Sequence, residues 1–364
     1  MIACVTGATG FVGGHVAHVL ADAGHTVRVT YRDAGRLDRL GGTPVEPVEA
    51  DVLDGDALRR AFEGADVVFH TAGVVGSSER AWRVNAVGPR IAVEAAAAAR
   101  AWRFVHTSSV VAVGPAAEGA LGREDDVYRG GGLGLAYVDS KHEGEVEAMA
   151  AALRNGVEIV VANPAYILGV PVDRSAAVES SSRRLLDFIA GRTSMLVEAP
   201  TNVVDVRDVA IGHLLAAERG RAGERYILGG HNRMWSEIAE RMQEASGIRH
   251  PVLMAPRELA RVAHVQHLMG LPGVLTGGLL TRLTAPNWQY SSEKAEAELG
   301  YRPRPLDETL ADAAAWYREL VAAGRIDGAD EGGPRALRAA QRFGALGALR
   351  AAERLSGRRL VVGG

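Results

Sequence analysis

The fold of this chain is decided by residues 2–14, which read Ile2-Ala3-Cys4-Val5-Thr6-Gly7-Ala8-Thr9-Gly10-Phe11-Val12-Gly13-Gly14. Strand-like residues run into a glycine-rich corner, and an amphipathic helix follows that stops at Gly24. The predicted apolar side of this helix carries Val12, Val16, Val19, Leu20 and Ala23. A strand, a glycine turn and a helix in this order form a cradle for phosphate, because the helix N-terminus directs free N–H groups at an anion.

The glycines of this turn meet the demands of a nucleotide site. Glycine is needed where the chain reverses sharply, where a pyrophosphate approaches the backbone, and where helix and strand pack closest. Gly7, Gly10 and Gly13 are spaced for these positions, although Gly-x-x-Gly-x-x-Gly departs from the Gly-x-Gly-x-x-Gly fingerprint of dinucleotide folds. We therefore predict a nucleotide-binding turn with these candidate contacts: Gly7, Thr9, Gly10, Phe11 and Val12.

Length and composition narrow the class of protein. The 364 residues, 47% hydrophobic and 23% charged, suit a large globular core with a smaller lobe. A net charge of −3 favours neither a nucleic-acid partner nor an acidic tail protein. Cys4 is the one cysteine, which excludes an internal disulfide, and we expect a buried, inert thiol. No basic segment with an apolar run behind it opens the sequence, so we expect a cytoplasmic enzyme without a signal peptide, and no metal site.

The end of the second predicted strand bears on the choice of cofactor. Residues 26–31 alternate as a strand does, and Arg32 and Asp33 follow them. In a dinucleotide fold this strand end lies beside the adenosine ribose, where arginine suits a 2′-phosphate and an acid suits a 2′-hydroxyl. Arg32 therefore favours NADP. The alternative is that Arg32 is a solvated loop residue and that Asp33 holds the ribose of NAD.

The next elements continue an alternation of strands and helices. Strands are predicted over residues 45–50, 66–70 and 103–107, and helices over 57–62 and 79–100. This alternation predicts an α/β fold with a doubly wound parallel sheet, in which ligands bind at the carboxyl ends of the strands. The candidate contacts at those ends are Asp51 and Val52 for adenine, Thr71, Ala72 and Gly73 for the phosphates and ribose, and Ser108 or Ser109 for a substrate.

Tyr137 and Lys141 form the decisive pair, at the start of a helix predicted to run to about residue 153. At positions i and i+4 they share one helical face, so the ammonium can stabilise the phenolate and make the tyrosine a general acid or base. A Tyr-x-x-x-Lys pair is also common on solvated helix faces. Lys141, however, is one of two lysines in a chain whose other cations are arginines, and Lys294 is the second.

Together these stretches resemble the extended short-chain dehydrogenase/reductase family, which includes NAD-dependent epimerases and dehydratases. The resemblance covers residues 1 to about 320, and it is strongest to the hopanoid-associated sugar epimerase-like and dihydroflavonol reductase-like branches. It rests on the glycine turn, the Thr107-Ser108-Ser109 stretch, the Tyr137/Lys141 pair, Asn163-Pro164 with Ile167-Leu168-Gly169, and residues 204–210, 224–230 and 290–294.

The resemblance implies roles for individual residues. Tyr137 would be the general acid or base, and Lys141 would hold the nicotinamide ribose and lower the pKa of Tyr137. The family pattern that ends at Gly114 puts the catalytic serine, which stabilises the substrate oxygen, at Ser109, with Ser108 as the alternative. The remaining candidate contacts are Pro164 for the nicotinamide carboxamide, and Ser109, Val111, Asn163 and Tyr166 for the substrate.

The predicted organisation has three parts. A Rossmann core covers residues 1–165, and a smaller C-terminal substrate lobe covers 166–324, with core elements that return at about 203–230. Helices are predicted over 173–192, 208–218 and 235–245. A basic extension, 325–364, has no assigned role, and we expect it to be mobile or crossing rather than a membrane helix. The last family-like helix carries an apolar stripe of Leu306, Leu310, Ala313, Ala314, Tyr317 and Leu320.

Residues 262–281 contain no Asp, Glu, Lys or Arg. Their length would span a bilayer, but Pro272 and several glycines interrupt them, and His264 and His267 lie among them. We predict an apolar lid or interface packed within the protein, in preference to a membrane-surface contact. If the lid lines the pocket, the substrate is apolar.

The main hypothesis is an NADP(H)-dependent oxidoreductase that moves hydride between nicotinamide and a secondary alcohol or ketone of a small molecule. The alternative enzyme is an NDP-sugar epimerase or dehydratase with tightly bound NAD, which Asn163 favours and Arg32 and the apolar lid oppose. Val110 and Val111 offer no carboxylate for a dehydration. A catalytically silent cofactor-binding protein is the third hypothesis, and the intact Tyr137/Lys141 pair opposes it. The resemblance implies a homodimer through the helices at 79–100 and 137–153.

Overall fold

Strands and helices alternate through the first half of the protein, as predicted. The computed structural model describes residues 1–175, 181–258, 283–329 and 345–363. The strands of this half are β1 (Ile2–Thr6), β2 (Thr26–Tyr31), β3 (Glu46–Glu49), β4 (Val67–His70), β5 (Arg103–Thr107) and β6 (Glu158–Pro164). Its helices are α1 (Phe11–Asp22), α2 (Gly55–Phe62), α3 (Glu79–Trp82), α4 (Gly88–Ala98), α5 (Val110–Val113) and α6 (Ala136–Asn155).

The second half contains shorter strands between further helices. The strands are β7 (Tyr166–Leu168), β8 (Met195–Glu198), β9 (Pro200–Asp205), β10 (Arg225–Leu228), β11 (His231–Met234), β12 (Val252–Pro256) and β13 (Val361–Val362). The helices are α7 (Ser181–Ile189), α8 (Val206–Arg219), α9 (Trp235–Ser246), α10 (Glu293–Leu299), α11 (Leu306–Ala322) and α12 (Ala345–Ser356).

A seven-stranded parallel sheet with the order β10-β6-β5-β4-β1-β2-β3 forms the centre of the molecule. One apolar core lies between the sheet and helices α1 and α8, and a second lies between the sheet and helices α2, α4 and α6. The direction of winding reverses at β1, which lies between β4 and β2. This is the predicted doubly wound Rossmann fold, and its switch point puts a ligand site at the carboxyl ends of β1 and β4.

Helix α1 contributes most of its predicted apolar face to the first core. Val16 and Leu20 are buried, and Val12 and Val19 pack against the core from partly buried positions. Ala23 was wrongly included, because α1 ends at Asp22 and the Ala23 side chain is exposed.

Cys4 is buried in β1, as expected, and its thiol donates to the Ala61 carbonyl oxygen at 3.7 Å. Burial raises the pKa of this thiol to about 12, against the opposing effect of Arg28. A thiol so far from ionisation is a poor nucleophile and a poor metal ligand, so Cys4 contributes only packing.

The helix predicted over residues 79–100 is divided into α3, a π-helical turn at Arg83–Val87, and α4. Helix α6 packs directly on this turn, and a methyl group added to Gly144 would overlap the carbonyl oxygen of Asn85. The Asn85 side chain accepts from the Val74 N–H at 2.9 Å and donates to the Val74 carbonyl oxygen at 2.8 Å. The π turn thus directs Asn85 at the loop that follows β4, a change of helical geometry typical of functional sites.

The lobe has two small sheets that the sequence did not reveal. Strand β9, within the region predicted to return to the core, instead lies in a three-stranded sheet of order β11-β9-β7, because its edges pair with β11 and β7. Of that region, β10 joins the central sheet and α8 covers it. Helix α11 buries the whole predicted stripe at 306–320.

The C-terminal extension is folded in part. Within residues 345–363 it forms α12 and β13, and β13 pairs antiparallel with β12 in a sheet of order β13-β12-β8. The apolar stretch 262–281 lies outside the described residues. No helix within the described ranges is both long and apolar enough to cross a membrane.

Candidate active site

The glycine turn has the geometry of a phosphate cradle. Gly7 has a φ of +72°, and a side chain there would come within 2.7 Å of the Ala72 backbone. A methyl group at Gly13 would overlap the Gly7 carbonyl oxygen and the Thr71 hydroxyl. Gly10 is exposed, and it begins α1 without a side-chain cap. The first N–H groups of α1 therefore face outward beside a bare backbone, which fits the pyrophosphate of a dinucleotide.

The adenosine side of this cradle carries opposite charges. Arg32 is exposed after β2, whereas Asp33 accepts from the Gly35 N–H at 3.0 Å and pairs with Arg36 at 3.3 Å. Asp33 is thus engaged by its own loop. Arg36 was not singled out in the sequence, where it is one of several loop arginines.

Asp51 and Val52 follow β3, at the predicted adenine edge. Asp51 binds Arg80 at 2.7 Å and accepts from the Leu53 N–H at 3.0 Å. Burial acts to raise the pKa of Asp51, but these hydrogen bonds and the charges of Arg80 and Arg32 hold it below its usual value. Val52 is buried against Gly88 of α4.

The loop after β4 connects the cradle to helix α6. The Thr71 hydroxyl donates to the Thr6 carbonyl oxygen at 2.6 Å, which joins the ends of β4 and β1. Gly73 lies so close to α6 that an added methyl group would be 3.9 Å from the Lys141 Nζ. Beyond it, Val74 and Val75 are 39% and 60% exposed. The loop that passes Lys141 thus continues into two exposed apolar side chains.

Ser109, Tyr137 and Lys141 converge from two elements. The Ser109 side chain lies close enough to the Tyr137 phenol to lower its pKa, and the Ser109 Oγ accepts from the Val111 N–H at 3.3 Å. Lys141 is 5% exposed, and its Nζ donates to the Thr107 carbonyl oxygen at 2.9 Å. The geometry thus brings together the three predicted catalytic residues.

Ser108, the alternative serine, has a different environment. It is 5% exposed, and its N–H donates to the Ala162 carbonyl oxygen at 2.8 Å. Its hydroxyl is buried and has no hydrogen-bond partner among the described residues. Ser109, not Ser108, therefore meets the tyrosine.

The protonation of the pair differs from the expectation. Burial raises the pKa of Tyr137 to about 12, and the hydrogen bond from Ser109 opposes this change. Burial also lowers the pKa of Lys141 to about 8, while the charge of Glu145 acts to raise it. The pKa of Tyr137 is therefore raised by burial and not lowered as the resemblance implied, while the Lys141 Nζ donates to the Thr107 carbonyl oxygen. In this state Tyr137 is a proton donor.

The other candidate contacts for cofactor and substrate lie at different depths in the protein. Val111 is buried in α5, and Tyr166 is half-buried with its ring edge-to-face with Trp235 at 5.1 Å. Pro164 ends β6. Asn163 is 0% exposed, and its amide donates to other protein groups, so its contact with substrate stays a prediction. Asn163 lies behind Ser109.

A buried polar layer beneath the site was also missed. His70 and His106 face one another on β4 and β5 with ring centroids 5.7 Å apart. His70 bonds the Thr6 hydroxyl at 2.9 Å, and His213 bonds the Thr107 hydroxyl at 2.7 Å. Burial lowers the pKa of His70 to about 3 and that of His213 to about 4, and that of His106 lies well below its usual value. All three are neutral at pH 7. Their sequence signal was weak, because single histidines in apolar strands have no spacing pattern.

Comparison with known proteins agrees with this architecture. Residues 3–229 match the NAD dependent epimerase/dehydratase family. The chain is 34% identical over 330 residues to a Synechocystis sp. protein named "Putative dihydroflavonol 4-reductase", across 86% of this chain and 94% of that protein. It is 32% identical over 335 residues to sterol demethylase protein B of Methylococcus capsulatus, across 88% and 99% of the two chains.

A solved structure extends the similarity to three dimensions. The crystal structure of gox2253 superposes with a TM-score of 0.78 at 31% identity, and it covers 90% of this chain and 99% of that chain. The similarity therefore includes the lobe as well as the Rossmann core.

Proposed function

This chain belongs to the NAD-dependent epimerase/dehydratase family of extended short-chain dehydrogenases/reductases, and we propose that it is an NADP(H)-dependent reductase of a ketone on a small apolar molecule. The observation that carries the proposal is the convergence of Ser109, Tyr137 and the buried Lys141, in which the Ser109 side chain acts on the Tyr137 phenol and Lys141 lies one helical turn further along α6. A protonated phenol with a second hydroxyl beside it can polarise a carbonyl oxygen and then protonate it.

The residues of the chain would divide the work as follows. The glycine turn and Lys141 hold the dinucleotide, which supplies a hydride to the carbonyl carbon when bound. Ser109 orients the carbonyl oxygen, and Tyr137 gives that oxygen its proton as the alcohol forms. Lys141 keeps a positive charge near the phenol, which stabilises the phenolate that is left until solvent returns the proton.

The charges after β2 support NADP over NAD. Arg32 is exposed at the end of β2, the strand end that in dinucleotide folds borders the ribose, and Asp33, the residue that would favour NAD, is bound by Gly35 and Arg36. A guanidinium can bind a 2′-phosphate with two parallel hydrogen bonds.

Two observations support an apolar substrate. Val74 and Val75 are exposed beside the catalytic helix. Two relatives carry the names of a dihydroflavonol reductase and a sterol demethylase, and dihydroflavonols and sterols are both fused-ring molecules.

The sugar epimerase remains the second candidate, because the family name includes it. Its support from Asn163 is weaker in the structure, since the Asn163 amide binds Ser109 and Glu145. Mass spectrometry of the purified protein separates the two: tightly bound NAD supports the epimerase.

The direct test is NADPH consumption with a panel of cyclic and aromatic ketones, with NDP-sugars in parallel. We expect turnover with a ketone, a preference for NADPH over NADH, and no change in any NDP-sugar. A panel in which no ketone is reduced while an NDP-sugar is epimerised would overturn the proposal. If neither class reacts but NADPH still binds, the silent cofactor-binding hypothesis replaces it.

We also propose a homodimer through α4 and α6. On α6, Val146 and Leu153 are 47% and 86% exposed, which is a high exposure for apolar side chains one or two turns apart. Light scattering should give about twice the mass of the 38.4 kDa chain.

A further inference from the structure

A buried ionic cluster lies behind the catalytic pair. Glu145 is one helical turn beyond Lys141 on α6, and it is 1% exposed. Its Oε1 is 3.2 Å from the Nε of Arg225 on β10, and its Oε2 accepts from the Asn163 Nδ2 at 2.7 Å. A carboxylate is buried at high cost unless both oxygens are bound, so this arrangement requires all three residues.

Asn163 connects this carboxylate to the serine. Its Nδ2 also donates to the Ser109 carbonyl oxygen at 3.0 Å. Both neighbours are acceptors, so the amide nitrogen and not the oxygen must face them. The orientation of Asn163 is therefore fixed by Glu145 on one side and by Ser109 on the other.

We propose that Glu145 is a positioning residue that, with Arg225 and Asn163, holds Ser109 in place against Tyr137 and Lys141. The proposal rests on the proposed function only in that these residues perform the proton transfer. Strands β5, β6 and β10 are neighbours in the sheet, α6 packs on β5 and β6, and Glu145 of α6 reaches Arg225 of β10. The cluster thus connects three strands to the helix that carries the tyrosine and the lysine.

The same carboxylate acts on the charge of Lys141. The groups that act on this ammonium are His70 on β4, His106 on β5 and Glu145 on its own helix. Both histidines are kept neutral by burial, so Glu145 is the anion that offsets the cost of burying the ammonium. Loss of the negative charge should therefore make Lys141 easier to deprotonate.

The first test measures Lys141 directly. Because the chain contains two lysines, Lys141 and Lys294, selective ¹³Cε-lysine labelling gives two side-chain NMR signals to titrate. In Glu145→Gln we expect Lys141 to titrate about one pH unit lower than in the wild type. The exposed Glu143 on the same helix gives the matched control Glu143→Gln, in which both lysines should titrate as in the wild type. An unchanged Lys141 titration in Glu145→Gln overturns the proposal.

The second test measures turnover with NADPH and a ketone. In Glu145→Gln, kcat should fall at least about tenfold, because a small displacement of Ser109 misaligns the proton donor. The KM for NADPH should stay within about twofold of the wild type. The alkaline limb of the rate profile should move to lower pH together with the Lys141 titration. A loss confined to KM would show that the residue only supports the fold, and it would overturn the proposal.

Two further variants keep these tests decisive. If Glu145→Gln does not fold, the double variant Glu145→Gln/Arg225→Gln removes both charges of the pair and carries the same predictions. Glu145→Asp keeps the negative charge, so the titration midpoint of Lys141 should return part of the way to its wild-type value. A wild type that reduces no ketone refutes the proposed function alone, because the NMR titration needs no turnover.

Discussion

The glycine turn and helix α6 differ in how they hold polar groups. In the turn, side chains are excluded: Gly7 and Gly13 approach neighbouring backbone too closely for a methyl group, and the first N–H groups of α1 remain outward. In α6, charged side chains are buried: Lys141 and Glu145 are 5% and 1% exposed. One region presents bare backbone, and the other holds charged side chains in the interior.

Because of this difference, the two regions should be sensitive to different kinds of substitution. The turn is damaged by added volume, whereas the buried layer around α6 is damaged by a lost hydrogen bond or a changed charge. Substitutions of each kind should therefore affect different measurements, cofactor affinity for the turn and turnover or pH dependence for the buried layer.

The largest effect should come from Tyr137→Phe, which removes the proton donor from the buried region. We expect kcat for ketone reduction to fall about a thousandfold, because a positioned general acid contributes on the order of 10²–10⁴ in rate. NADPH affinity, measured by fluorescence titration, should change by less than about twofold. Tyr317→Phe removes a buried hydroxyl from α11 and serves as the matched control. Undiminished turnover in Tyr137→Phe would contradict the mechanism.

Acid should destabilise the buried layer next. The folded pKa of His213 is about 4, below the unfolded value of about 6.5, so the unfolded chain binds more protons between these values. Stability is therefore fully present above about pH 6.5 and is lost as the pH falls toward 4. Each such histidine should remove ~2 kcal/mol of the free energy of unfolding by pH 5.

Urea unfolding at pH 7 and pH 5 measures this loss. His213→Gln should reduce the difference between the two pH values by about one histidine's share, even if it lowers stability at pH 7. Equal acid sensitivity in wild type and His213→Gln would show that this histidine is not the source.

The same contrast explains what could be predicted from sequence. The turn is contiguous, so Gly7, Gly10 and Gly13 display their spacing directly, and the alternation of strands and helices indicated the parallel sheet. Tyr137 and Lys141 share one helical face and were equally visible. The contacts of Asn163 and Glu145 with one another were not visible, because they depend on the packing of β5, β6, β10 and α6, which no local pattern records. The π turn at 83–87 was not visible for the same reason, because it packs closely against Gly144 on another helix.

Gly13→Ala tests the turn by adding volume. The new methyl group would overlap the Gly7 carbonyl oxygen and the Thr71 hydroxyl, and relief of that overlap must move the backbone that holds the pyrophosphate. Overpacking of this kind costs about 1–3 kcal/mol, so the Kd for NADPH should rise about tenfold to a hundredfold. Gly55→Ala at the start of α2, where the nearest neighbour is a side chain 3.4 Å away, is the matched control. Unchanged affinity in Gly13→Ala would remove the turn from the cofactor site.

Arg32→Gln should have the smallest effect. It tests the one charged side chain that we assign to a cofactor site otherwise formed by backbone groups. An exposed charge contact is worth about 1 kcal/mol, so the preference for NADPH over NADH, as a ratio of kcat/KM values, should fall about fivefold. The loss should come from NADPH, with NADH kinetics nearly unchanged, because a 2′-hydroxyl gives the guanidinium no charge to bind. Arg59→Gln, on the exposed side of α2, should leave the ratio as in the wild type. If the ratio stays constant in Arg32→Gln, the alternative is favoured, in which Asp33 binds the ribose and the cofactor is NAD.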